Sequence, residues 1–197
     1  MKIVLASASS SRAGLLRAAG VDFEIQPADI DEEAIKAKLL GAGQLPEAIA
    51  VELAEQKAKA VSHIRSDDLV IAADQILCFE GHMINKCVTL EGARDLLVRL
   101  RGRKHSLIGG LGLARASDIL WRHTSRAELI MRDFSDAFLE EYLRREGPSI
   151  LGSVGCYRLE AEGMQLFDAI DGSYFAILGL DMLPLLRELR THGAVAV

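Results

Sequence analysis

The chain has 197 residues, 50% of them hydrophobic, which is enough to bury the core of one domain or of two closely joined lobes. Its formal net charge of −5 argues against a general nucleic-acid-binding protein, because there is no overall positive charge to neutralise phosphates. The sequence contains no apolar run of about 18 residues and no signal-peptide pattern, so it predicts no membrane span and a cytoplasmic location.

The pattern of apolar residues and helix caps predicts strands and helices in irregular alternation. We expect strands at 2–6, 21–27, 67–79 and within 80–86, and helices near 10–19, 29–39, 45–64, 89–102, 135–147 and 181–191. A hairpin is expected over 106–131, turning around 116–118, and residues 153–180 read as strand and loop. This order favours an α/β fold with a mixed, twisted sheet and flanking helices, in a single domain over 1–197.

The first predicted strand ends in the stretch LASASSSR, which places four serines and Arg12 just before a helix. A helix N-terminus presents unpaired backbone N–H groups, and serine hydroxyls and a guanidinium add further donors for phosphate oxygens. The stretch therefore predicts a phosphate-binding turn.

Lys57 lies in the middle of the apolar face of the helix predicted at 45–64. The apolar residues that share this face are Ile49, Ala50, Leu53, Ala54, Ala60, Val61 and Ile64. An ammonium in that position must find an anion or lose its charge. Lys57 is either a lysine that extends to solvent at the rim of the core or a lysine that faces a site for an anionic ligand.

Asp74 interrupts VIAADQILCF, a run otherwise suited to a strand buried on both faces. A carboxylate there needs a partner, so it is either a structural ion pair or part of a functional site. The neighbouring Gln75 has an amide that can both donate and accept hydrogen bonds. With Arg12, Lys57 and Lys86 to hold a polyphosphate, Glu32 and Asp74 could hold a divalent cation on it.

Other chemistry is weakly supported. There is no GxxxxGK[ST] motif and no GxSxG motif, and GGLG at 109–112 falls within a predicted strand. His105 and His123 lack metal-ligand spacing, and the scattered thiols of Cys78, Cys87 and Cys156 fit a reduced cytoplasmic protein without a zinc site.

Several short motifs, in this order and spacing, resemble the Maf family of nucleotide pyrophosphatases. They are LASASSSR, DIDE, LAEQKA, AADQ, the NK before a helix, RGRKHS and GCYRLEAEGMQLFDAIDGSYFAILGL. The resemblance implies two lobes around a cleft, a relation to the inosine-triphosphate pyrophosphatases and a homodimer. It also implies hydrolysis of nucleoside triphosphates to the monophosphate and pyrophosphate with Mg²⁺ or Mn²⁺, as housekeeping of the nucleotide pool.

The resemblance also implies roles for individual residues. The positions that match the family's substrate-binding residues are Ser7, Ser9, Arg12, Lys57 and Lys86, and those that match its acidic residues are Glu32 and Asp74. Asp74 is expected to be the catalytic proton acceptor. Two departures are Ala13, where the family has a second arginine, and Cys87, where it has a proline after the lysine.

The positions linked to base choice in the family are Ser11, Gln75 and Glu160. Gln75 together with Glu160 resembles the branch that prefers 7-methyl-GTP more than the branch that prefers dTTP and UTP. The alternative to an enzyme is a nucleotide-binding regulator of septum formation without turnover, which the loss of the second arginine slightly favours.

Overall fold

The structure, a computed structural model, describes residues 1–196. Its contacts divide the chain into two compact units. Unit 1 comprises Met1–Gln75, Ile108–Ser125 and the residues from Tyr174 onward, and unit 2 comprises Ile76–Leu107 and Arg126–Ser173. Neither unit is one continuous segment, so neither could be excised by cutting the chain at one place. The expectation of a single domain stays a prediction.

The strands are β1 (Ile3–Leu5), β2 (Glu24–Ile25), β3 (Leu69–Phe79), β4 (His82–Ile84), β5 (Lys104–Arg115), β6 (Asp118–Met131) and β7 (Phe167–Asp171). The α-helices are α1 (Ser10–Ala18), α2 (Glu32–Gly41), α3 (Pro46–Ile64), α4 (Leu90–Leu100), α5 (Asp136–Glu146), α6 (Tyr174–Ile177) and α7 (Met182–Thr191). Two short 3-10 helices span Gly147–Gly152 and Glu162–Leu166. This sequence of elements confirms the predicted α/β class.

The strands form one mixed sheet in the order β2-β1-β3-β5-β6-β7, with β4 paired to β3. β1 is parallel to β2 and β3, whereas β4 is antiparallel to β3 and β7 is antiparallel to β6. Ala116 and Ser117, between β5 and β6, both have positive φ, as a tight two-residue hairpin turn requires. The predicted mixed sheet and hairpin are therefore confirmed.

In unit 1 the sheet is buried on both faces, and alternate residues of β3 belong to different clusters. Leu69, Ile71 and Ala73 pack with residues of α1 and α7, whereas Val70 and Ala72 pack with Ala58 and Val61 of α3. Side chains alternate across a strand, so even-numbered residues of β3 face α3 and odd-numbered residues face the other side. This alternation determines to which side of the sheet the next residues of β3, Asp74 and Gln75, point.

Small residues let α3 approach the sheet closely. A Cβ on Gly110 would lie 2.2 Å from the carbonyl oxygen of Ala50, and one on Gly112 would lie 3.3 Å from that of Ala54. Ala114, two residues further along β5, belongs to the same core as α3. The GGLG stretch is therefore a packing feature of a strand, in agreement with its predicted position.

The sequence prediction of the α3 face needs two corrections. Ile49, Ala50, Leu53, Ala54 and Val61 are buried as expected, but Ala60 is only half-buried and Ile64 is 65% exposed. Ile64 is the last residue of the helix, before the turn that leads into β3. Within the part of the chain that the structure describes, no helix is both long enough and apolar enough to cross a membrane.

Candidate functional site

The serine-rich turn after β1 forms the start of α1. Ser9 is the N-cap of the helix, and its hydroxyl accepts a hydrogen bond from the backbone N–H of Arg12 at 3.4 Å. The Ser7 hydroxyl accepts from the backbone N–H of Ser9 at 3.2 Å and from Nη1 of Arg12 at 3.1 Å. The two serines thus shape the turn and also hold Arg12.

The Arg12 guanidinium joins three segments of unit 1. Besides bonding to Ser7, its Nη1 donates to the carbonyl oxygen of Ala73 at 2.8 Å, and its Nε donates to that of Gly179 at 3.2 Å. Burial lowers the pKa of Arg12, and the negative charges of Asp74 and Glu32 act in the opposite direction. Arg12 is therefore held in the electrostatic range of both carboxylates.

Lys57 bridges these two carboxylates. Its Nζ lies 2.7 Å from Oδ1 of Asp74 and 2.9 Å from Oε1 of Glu32. The side chains of Lys57 and Asp74 are only 11% and 10% exposed, whereas Glu32 is 41% exposed. The interpretation of Lys57 as a lysine that extends to solvent is therefore wrong, because its ammonium is buried against Asp74.

The positions of Lys57, Asp74 and Glu32 in their helices and strand explain why these side chains come together. Asp74 is an even-numbered residue of β3, so it points to the same side as Val70 and Ala72, toward α3. Lys57 precedes Ala58 and lies one turn before Val61, on the face of α3 that packs against those residues. Glu32 is the first residue of α2, whose N-cap Asp31 accepts from the backbone N–H of Ala34 at 2.9 Å. The helix expected near 29–39 is confirmed, although it begins at Glu32 and ends at Gly41.

The carboxylates of Glu32 and Asp74 are suited to a divalent cation that substrate phosphates also bind. Glu32 and Asp74 supply carboxylate oxygens, the ligands that Mg²⁺ and Mn²⁺ prefer. Among residues 1–196 there is no group of three or more His, Cys, Asp or Glu side chains suited to hold a metal. Mg²⁺ is commonly bound by one or two carboxylates together with substrate phosphates and water, so two carboxylates are sufficient for such a site.

Gln75, next to Asp74, points to the opposite side of the sheet. Its amide nitrogen donates to the carbonyl oxygens of Ala176 at 3.0 Å and Ile177 at 3.1 Å, at the end of α6. The last carbonyl groups of a helix lack partners within the helix, so Gln75 caps α6. The predicted role of Gln75 in base choice stays a prediction, and its amide donors already have protein acceptors.

Ser11 and Ala13 lie on α1, on either side of Arg12. Ser11 is half-buried. The Ala13 methyl is buried in the cluster that contains Leu5 and Leu16. Position 13 of this chain thus belongs to the hydrophobic core of unit 1, while Arg12 supplies a guanidinium.

The remaining predicted site residues belong to unit 2. Lys86 is exposed and follows β4, and Cys87 is half-buried beside it. Glu160 is 26% exposed, and its Oε1 lies 3.8 Å from Nε of Arg158. The participation of Lys86 and Glu160 in the same site as Lys57 stays a prediction.

The sequence did not predict that the carbonyl oxygens of Ala73 and Gly179 bind Arg12. Such acceptors cannot be recognised from residue types, because every residue has a carbonyl group. The glycine itself could have been noticed in the sequence. A glycine within an apolar stretch such as AILGL often indicates a positive φ or a close approach of another group to the backbone.

The chain is similar over nearly its whole length to proteins of one family. A family profile described as Maf-like protein matches residues 2–192. A nucleoside triphosphate pyrophosphatase of Granulibacter bethesdensis is 46% identical over all 197 residues of both chains. A 7-methyl-GTP pyrophosphatase of Mesorhizobium japonicum is 45% identical over 194 residues, which cover 98% of each chain.

A nucleoside triphosphate pyrophosphatase of Caulobacter vibrioides is 48% identical over 195 residues, covering 99% of this chain and 98% of its own. The family match spans most of the chain, and these relatives align over nearly their whole length. The chain therefore belongs to the Maf-like protein family.

Proposed function

We propose that this protein hydrolyses nucleoside triphosphates to the monophosphate and pyrophosphate. The observation that carries the proposal is Lys57, buried between Asp74 and Glu32, with the Arg12 guanidinium tied to the residue before Asp74. The cations Arg12 and Lys57 and the carboxylates Asp74 and Glu32 thus lie within electrostatic range of one another, with Arg12 in the first turn of α1. The names of the relatives, which align over nearly the whole chain, support the same class of reaction.

In the proposed reaction a water oxygen bonds to the α-phosphorus, and the bond from that phosphorus to the bridging oxygen of pyrophosphate breaks. Asp74 orients the water and accepts its proton. Arg12 and Lys57 stabilise the negative charge on the leaving pyrophosphate. Ser7, Ser9 and the N-terminus of α1 provide further donors for phosphate oxygens.

Glu32 and Asp74 are the residues that would hold Mg²⁺ or Mn²⁺. When bound, such an ion would neutralise part of the triphosphate charge. Until then Lys57 supplies the positive charge that keeps the two carboxylates together. We also propose that modified or non-standard nucleotides are the substrates, which the name of the Mesorhizobium japonicum relative supports.

The deciding experiment incubates the purified protein with a panel of nucleoside triphosphates, each with Mg²⁺, Mn²⁺ or a chelator, and measures pyrophosphate. We expect release of pyrophosphate from at least one nucleotide, dependent on the metal. Tight binding of a nucleotide without any release would instead support the non-catalytic regulator.

A further inference from the structure

We propose that Gly179 is a positioning residue for Arg12, and that the turn from Ala176 to Gly179 orients the guanidinium beside Asp74. The inference rests on the proposed function, because it concerns an arginine assigned to the triphosphate. The carbonyl oxygen of Gly179 accepts from Nε of Arg12, and the three heavy atoms nearest to a Cβ built at Gly179 all belong to Arg12, so its effect is transmitted through Arg12.

Three acceptors fix the guanidinium. Gly179 supplies the carbonyl oxygen for Nε at 3.2 Å, while Ala73 and Ser7 supply the acceptors for Nη1 at 2.8 and 3.1 Å. An arginine side chain has several rotatable bonds, and fixing Nε and Nη1 together sets the plane of the group. The direction of the Nη2 amino group is thereby fixed as well, and in the proposed function this group would donate to a phosphate oxygen.

Only glycine fits at position 179, for two reasons. Its φ is +103°, a conformation that residues with a side chain rarely adopt. A Cβ built there would also lie 2.9 Å from Nε and 3.3 Å from Cγ of Arg12. Any side chain would therefore push Arg12 away from the carbonyl to which it now bonds.

The same turn is held from its other end by Gln75. The Gln75 amide donates to the carbonyl oxygens of Ala176 and Ile177, and the backbone N–H of Gly179 donates to Ala176 at 3.0 Å. Ala73 and Gln75 flank Asp74 in β3. The turn thus contacts one neighbour of Asp74 directly, through Gln75, and the other through Arg12. This explains how the orientation of Arg12 is linked to the position of Asp74.

The test compares Gly179→Ala with a matched control, Gly193→Ala. Gly193 also has a positive φ, +64°, but a Cβ there has nothing within 4 Å. Both variants therefore place a side chain at positive φ, at a higher backbone cost at +103° than at +64°, and only the Cβ of Gly179→Ala meets Arg12. We expect Gly179→Ala to lower kcat/KM for the best nucleotide by about 100-fold, as a misplacement of about 1 Å can do, and Gly193→Ala to leave it unchanged.

A double-variant cycle separates positioning from a general structural effect. In an Arg12→Ala background, Gly179→Ala should cause no further loss of kcat/KM, because the group on which it acts is gone. The inference would be overturned if the double variant lost kcat/KM by the product of the two single losses. It would also be overturned if Gly179→Ala and Gly193→Ala had equal effects on kcat/KM.

A second measurement does not depend on activity. The Nε–H of Arg12, followed by NMR, should exchange slowly with solvent in the unmodified protein and in Gly193→Ala, and faster in Gly179→Ala. Unchanged exchange in Gly179→Ala would refute the positioning role. If the unmodified protein releases no pyrophosphate from any nucleotide, the proposed function fails, and this exchange measurement still decides the role of Gly179.

Discussion

The ammonium of Lys57 lies 2.7 Å from a carboxylate oxygen of Asp74, and both side chains are about nine-tenths buried. Removing one partner of a buried ion pair usually costs far more than the pair contributes, because the remaining charge is left without compensation. The two residues are therefore coupled, and their variants need to be interpreted together.

Asp74→Asn tests the proposed proton acceptor. Asparagine has nearly the same shape and can still accept a hydrogen bond from Lys57, so we expect the fold to persist. Pyrophosphate release should fall by about 10²–10⁴-fold, the usual cost of losing a general base. Asp67→Asn, at an exposed position before β3, is the control and should retain activity. An active, folded Asp74→Asn protein would remove Asp74 from the mechanism.

Lys57→Met tests the role of the buried ammonium. It leaves Asp74 and Glu32 without their shared cation, so we expect the free energy of unfolding to fall by about 3–5 kcal/mol in denaturant titrations. Adding Asp74→Asn to this variant should recover part of the loss. If the carboxylates hold a divalent cation, Mg²⁺ should raise the Tm of Lys57→Met, since a ligand that binds the native state stabilises it. Stability unchanged by Lys57→Met would contradict the coupling.

The pH dependence of stability tests His105 in unit 2. His105 is 2% exposed, its ring packs at a tilt against those of Tyr157 and Phe167, and one ring nitrogen, Nδ1, has no hydrogen-bond partner in residues 1–196. Burial lowers the pKa of His105 to about 4, and the charge of Glu128 acts in the opposite direction. The unfolded chain therefore binds a proton in a range where the native protein does not.

The contribution of His105 to stability is accordingly complete above pH 6.5 and is lost as the pH falls from 6.5 to about 4. The loss over this window is about 3 kcal/mol. We expect His105→Phe to show a smaller fall in Tm between those pH values than the unmodified protein. Parallel curves for the two proteins would show that His105 is not buried in its neutral form.

Gly110 tests the close packing of α3 on β5. Alanine at this position would bring Cβ within 2.2 Å of the Ala50 carbonyl oxygen, and backbone atoms cannot move aside without shifting the helix. We expect Gly110→Ala to destabilise the protein by about 1–3 kcal/mol or more, as overpacking does. Gly14→Ala, on α1 with nothing within 4 Å, is the control and should be neutral or stabilising. Equal stability of the two variants would contradict the close approach.

Base preference tests the assignment of Gln75 and Glu160. An ionised carboxylate only accepts, which suits the N1–H and N2–H₂ groups of guanine and opposes the carbonyls of uracil and thymine. We expect a higher kcat/KM for 7-methyl-GTP and GTP than for UTP and dTTP. Glu160→Gln with Gln75→Thr should shift the preference toward pyrimidines. A pyrimidine preference of the unmodified protein would reject this assignment and leave the pyrophosphatase proposal intact.

Much of this protein is determined by local sequence. The strand ending in serines, the helices expected near 10–19 and 135–147, and the length of α3 are confirmed, because caps and apolar periodicity act over a few residues. Lys57 and Asp74 were also detectable, since each is a charge in an otherwise apolar pattern.

Only the tertiary structure decided which residues that are distant in sequence contact one another. VIAADQ is apolar on both faces, so the sequence could not tell whether Asp74 or Gln75 faces α3. The parallel pairing of β1 with β3, which aligns Leu5 with Ile71, brings the serine turn of α1 beside residues 73–75. The carbonyl of Gly179 reaches Arg12 across 167 positions. Such contacts depend on strand register and helix packing, which arise only when distant segments exclude water together.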